Sequence, residues 1–132
     1  MRTKPSLTPA DVKTMMSACL AEAEKNGWKV TVAIVDEAGI PLHLERMDGA
    51  PLISAEVSVG KARTSALTRQ PSKFWEERVK ERPAFANFPA GLLIQGAVPV
   101  VHQDECVGAI GVSGVQSHQD EQIAQAGVAA LG

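Results

Sequence analysis

Chemistry-bearing side chains gather in one part of this sequence. Arg46 and Asp48 stand at the break Asp48-Gly49-Ala50-Pro51, and Lys61 and Arg63 follow in the next periodic segment. Cationic side chains grouped in this way suit small carboxylates or propionates, since an arginine can hold a carboxylate through two parallel N–H donors. If the turn folds the second helix back over the preceding hairpin, Arg46 and Lys61 face one cleft. Lys61 adjoins the small residues of its helix, and a lysine partly desolvated there suits work as a base or nucleophile. The histidines are His43, His102 and His118. His43 shares a strand face with Glu45, His102 lies in a polar turn, and His118 stands at the start of a helix. No two of them have the spacing of a zinc site.

The stretch Gly108-Ala-Ile-Gly-Val-Ser-Gly114 fits none of the glycine-rich motifs of known mechanism. A P-loop needs lysine after its last glycine, a dinucleotide fingerprint needs G-x-G-x-x-G, and a nucleophile elbow needs G-x-S-x-G. What remains is a strand nearly stripped of side chains, which costs packing and entropy and serves where another body comes close. That body is a helix, a partner chain or a flat ligand. In the ligand case Gly111 and Ser113 form its wall, with His118 just beyond.

These residues need elements to position them. Thr8-Pro9-Ala10-Asp11 reads as a capping box with proline at the first helical position. Val12, Met15, Met16, Cys19, Leu20 and Ala23 then keep helical rhythm to Asn26-Gly27. Trp28–Val35 is apolar at nearly every position, as in a strand covered on both faces. Pro41–Met47 reads as its hairpin partner, with Leu42 and Leu44 on one face and His43, Glu45 and Met47 on the other. A second helix runs from about Leu52 to Leu67, with Leu52, Ala55, Val59, Ala62 and Ala66 as its stripe. Ser72 caps a third helix that Pro83 stops. Three strand-like runs follow, Leu92–Ile94, Val98–Val101 and Val107–Val112, with Pro99 marking an edge or bulge. Ser117 opens a last helix, with Asp120 at the capping-box position.

The order predicts an α+β fold, an antiparallel sheet with flanking helices. The length of 132 residues suits one domain, spanning 1–132. A net charge of -2 and 4% aromatic content give no electrostatic footprint or stacking platform for nucleic acid. No apolar run has the length of a membrane span. Cys19 and Cys106 lie far apart among apolar residues, as expected of reduced thiols in a cytoplasmic protein.

VAIVDEAGIPLHLERMDGAP, the Lys61-Ala-Arg-Thr-Ser-Ala segment with Arg69-Gln-Pro71 behind it, and AVPVVHQDECVGAIGVSGVQSHQDEQIAQAG together resemble the GlcG/HbpS haem-binding family. This family also occurs as the C-terminal domain of PduO-type proteins. The resemblance covers nearly the whole chain. It implies a profilin-like or PAS-like sandwich with about five antiparallel strands flanked by N-terminal, central and C-terminal helices. It implies haem or another tetrapyrrole as ligand, and homo-oligomers, octamers among them. The chain departs from the family pattern at Gly96-Ala97, in the glycine-free turn His102–Glu105, and in a first helix without histidine. Haem iron takes His, Cys, Met or Tyr; tyrosine is absent, and His43 is the best-placed candidate. The preferred reading is a small-ligand or haem-binding protein in a sensing, carrier or accessory role. The alternatives are an enzyme acting on a small carboxylate through Lys61 or His43, and an assembly module.

Overall fold

The computed structural model describes residues 1–132. Its elements are α1 (Pro9–Lys25), β1 (Thr31–Asp36), β2 (Pro41–Arg46), α2 (Ser54–Thr68), α3 (Ser72–Glu81), a 3-10 turn (Pro83–Asn87), β3 (Ala97–His102), β4 (Glu105–Ser113) and α4 (Ser117–Ala129). The four strands form one antiparallel sheet in the order β2-β1-β4-β3. Helices α1 and α4 cover one face, where Met15, Cys19, Val32, Ile34, Ile110 and Ile123 make the main core. Helix α2 covers the other, where Val35, Ala62, Ala66 and Ala109 pack together.

Several elements form as their sequences predict. The Thr8 hydroxyl accepts from Asp11 N at 3.2 Å, and the Asp11 carboxylate accepts from Thr8 N at 2.8 Å, which satisfies two donors that a helix start leaves orphaned. In β1, Thr31 to Val35 are all buried. Pro99 lies on the edge strand β3, where its missing N–H faces no neighbour. The strand β4, poor in side-chain bulk, is buried from Cys106 to Ser113, and the body lying against it is α2. A Cβ at Gly111 would strike the Ser58 carbonyl oxygen and stand 2.7 Å from Ala62 N. Gly127 does the same for the other layer, since a Cβ there would meet the Cys19 sulfur.

Four expectations need correction. The sheet has four strands, because Leu92–Ile94 is irregular: Leu92 N donates to Gly60 O at 3.0 Å and Leu92 O accepts from the Thr64 hydroxyl at 2.7 Å. Both backbone groups of Leu92 are thus spent on α2 and not on a ladder. Helix α2 begins at Ser54, and its buried stripe is Ser54, Ser58, Lys61, Ala62, Ser65 and Ala66, whereas Leu52 is exposed and Ala55 and Val59 are half-buried. A helix this close to a bare strand has room for hydroxyls but not for leucine. Two of the hydroxyls find partners, Ser54 with Thr31 at 2.7 Å and Ser58 with the Ala55 carbonyl at 2.9 Å, while that of Ser65 has none. Leu42 does not share a face with Leu44, because a bulge between Ile34 and Val35 shifts the β1–β2 register. At α4 the capping box is Gln116 with Gln119, and Asp120 turns inward.

Candidate functional site

Lys61 is 2% exposed. Its ammonium donates to Val112 O at 3.0 Å and to Asp120 Oδ2 at 3.1 Å, while Asp120 Oδ1 accepts from Val115 N at 3.2 Å. Burial pushes the Asp120 carboxyl above its ordinary value, and the Lys61 charge pulls the other way. The pair ties α2, the end of β4 and the first turn of α4 together. Gly96 makes room for it, since a Cβ there would lie 2.6 Å from the Lys61 Nζ.

The other predicted residues do not join Lys61. Arg46 is exposed at the end of edge strand β2, opposite Thr31. Asp48 is exposed in the following turn, and neither makes an ion pair within the chain. The expected cleft shared by Arg46 and Lys61 is therefore not formed, because Lys61 reaches inward under the β4–α4 junction. Arg63 is half-buried on the outer side of α2, with its stem against Gly39. Gly111 and Ser113 are buried on the α2 side of β4, and α2 fills the space beside Gly111. His118 is exposed at the start of α4, and His102 is exposed at the β3–β4 turn.

His43 is placed differently. It pairs across the ladder with Ile34, and Glu45 pairs with Val32, so both stand on the α1 side of the sheet. The His43 Nε2 lies 3.8 Å from the Glu45 carboxylate. Beside it, a concavity of about 460 Å³ runs between β2 and the first turn of α1, lined among others by Leu7, Pro9, Val12, Lys13 and Leu42. An imidazole, an apolar wall and one ammonium thus border a single groove. Sequence reasoning missed this wall, because nothing local announces that the start of α1 lies beside β2. It missed the Lys61–Asp120 pair for the same reason, as Asp120 at Ser117 plus three reads as a helix cap. A second concavity, about 730 Å³, separates α3 from α4 and carries mixed charges, Lys73, Arg78, Glu77 and Glu121 among them. No group of three or more His, Cys, Asp or Glu is arranged to hold a metal ion, and no helix is long and apolar enough to cross a membrane.

Sheet topology and groove define a class, a small α+β domain with one sheet between helical layers and a histidine on an open edge strand. Residues 7–129 match the family described as haem degrading protein HbpS-like, and the chain belongs to that family. It is 42% identical over 114 residues to protein GlcG of Escherichia coli strain K12, covering 86% of this chain and 85% of that protein. A double mutant of HbpS from Streptomyces reticuli superimposes with a TM-score of 0.93 at 34% identity, covering 100% of this chain and 91% of that one. A PduOC:Heme complex superimposes with a TM-score of 0.89 at 24% identity, covering 96% of this chain and 95% of that one, a likeness of fold.

Proposed function

We propose that this protein binds haem or a related tetrapyrrole in the groove between β2 and the start of α1, in a sensing, carrier or accessory role in the cytoplasm. The observation that carries this reading is the placement of His43, exposed on an edge strand and bordering an apolar groove. Membership of a family described by haem degradation supports the choice of ligand.

The residues present fit such a group. His43 offers an imidazole nitrogen to the iron, and the Glu45 carboxylate close to its ring orients it, as carboxylates beside ligating histidines do. Leu7, Pro9, Val12 and Leu42 give the macrocycle an apolar surface. Lys13, on the rim, suits a propionate as a point charge. In this chain the donor comes from β2 rather than from α1, which carries no histidine. Bound haem would supply an iron centre able to take a small ligand or change oxidation state. The chain's own part is to hold the ring, keep one face dry and fix the imidazole.

Titration with haemin tests the reading. The wild type should give a Soret band distinct from that of free haemin, and His43→Ala should weaken binding about tenfold or more, the loss of one iron–imidazole bond. An unchanged haemin spectrum, or His43→Ala binding as the wild type does, would overturn it.

A further inference from the structure

A third concavity, about 320 Å³, lies where the N-terminal segment and the start of α1 meet the β3–β4 hairpin and the end of α4. It falls at the small end of the range for ligand pockets, about 300–1,000 Å³. Leu7, Val101, Val107, Val128 and Leu131 give it apolar walls, and Asp11 and His102 are its ionisable side chains. Leu7 also borders the His43 groove. Its Cδ1 lies 2.8 Å from where a Cβ of Gly108 would stand, so Leu7 fills the gap over β4 and parts the two spaces. The Asp11 carboxylate is only half used. Its Oδ2 accepts from Thr8 N at 2.8 Å, whereas Oδ1 accepts from nothing in the chain and the carboxylate has no ion-pair partner. Hydrogen bonds with Thr8, the backbone one foremost, hold the Asp11 carboxyl below its usual value, so it stays an anion at neutral pH.

We propose that this cavity binds a small protonated amine, with its hydrocarbon chain among the valines and leucines and its ammonium on Asp11 Oδ1. Charge selects the head group. An ammonium gains a charge-assisted hydrogen bond from the free carboxylate oxygen. The end of α4 favours the same sign, since Val128 stands in its last turn and that turn carries no basic residue. The cations of the N-terminal segment do not compete, because Arg2 pairs with Glu105 at 3.5 Å and Lys4 with Glu37 at 3.7 Å. A carboxylate ligand would face a like charge, and an alcohol would leave Asp11 without its counter-ion. The walls select the tail, as each buried methylene adds to the affinity. An aliphatic ammonium keeps its charge at neutral pH as a lysine does. The cavity is separate from the His43 groove, so the inference does not rest on haem binding.

Calorimetric titration at neutral pH with hexylammonium chloride tests it. The wild type should bind one equivalent saturably. Propylammonium should bind about tenfold more weakly or worse, for want of three methylenes. Hexanol should also bind about tenfold more weakly or worse, and hexanoate should not bind. Asp11→Asn keeps a side-chain oxygen for Thr8 N, so the start of α1 survives while the charge goes, and its affinity for hexylammonium should fall about tenfold or more. Circular dichroism checks that this variant is folded. In the wild type, amide NMR shifts on adding hexylammonium should centre on Asp11, Val101, Val107 and Val128, which locates the ligand without any variant. No saturable binding, hexanol or hexanoate binding as well as hexylammonium, a folded Asp11→Asn that binds as the wild type does, or shifts centred on Leu42 and His43 would each overturn the inference.

Discussion

The buried pair of Lys61 and Asp120 sets the most specific expectation at the scale of single residues. Removing one partner of such a pair leaves an uncompensated charge, at a cost of about 3–5 kcal/mol, whereas replacing both by apolar residues costs far less. Lys61→Met should therefore destabilise the protein strongly in urea unfolding, and Lys61→Met/Asp120→Leu should be less damaging than the single change. The pH dependence has a definite sign. Burial holds the Asp120 carboxyl above its ordinary value, so the folded state binds that proton more tightly than the unfolded chain does. The contribution of this group to stability therefore falls as pH rises through the carboxylate range. Without the Lys61 ammonium the carboxyl rises further, so Lys61→Met should regain part of its lost stability as pH falls from neutral into the carboxylate range. A deficit that stays constant over that range, relative to the wild type, would contradict this. Gly111→Ala probes the helix–sheet approach. Its methyl would strike the Ser58 carbonyl, and the resulting shift of α2 should cost about 1–3 kcal/mol or more.

Among the elements, α3 is held least. Its only buried residue is Ser72, whose hydroxyl accepts from Ala97 N at 3.0 Å. The remainder packs on the 3-10 turn that follows, where Trp75 stacks on Phe88 with centroids 4.7 Å apart and meets Phe85 edge-on at 5.5 Å. A unit that packs mainly on itself opens separately from the body. Hydrogen exchange should be fast in α3 and slow in β1 and β4, and Trp75→Ala should speed exchange in α3 while leaving the sheet protected. The sequence makes much of this layout legible, for local reasons. The α1 cap, the double-covered β1, the β1–β2 hairpin and the Pro83 stop each follow from residues within a few positions of one another. The phenylalanines of the loop after α3, Phe85 and Phe88, close on Trp75. The rest depends on distant pairs. The buried hydroxyl face of α2 could not be known before the bare face of β4 was laid against it. Leu92–Ile94 has strand-like residues, yet both backbone groups of Leu92 go to α2.

The whole molecule sets its candidate groove beside the helix-covered α1 face of the sheet. On the α1 side, the main core is closed. Burial pushes the Cys19 thiol up to about 12, so Cys19 should resist thiol reagents at neutral pH until the chain unfolds. Beside that closed core, β2 stays exposed along its length, and its histidine borders the groove. The residue types His43, Arg46, Lys61 and Arg63 were all visible in the sequence as candidates. Their distribution was not: one is an internal tie, two stand on the α2 side, and one faces the groove at α1. The most direct test of haem binding at His43 is a crystal structure of the protein grown with haemin. Iron should sit on the His43 imidazole, with the macrocycle against Leu7, Pro9 and Val12. Iron held by any other side chain, with His43 left in solvent, would contradict it.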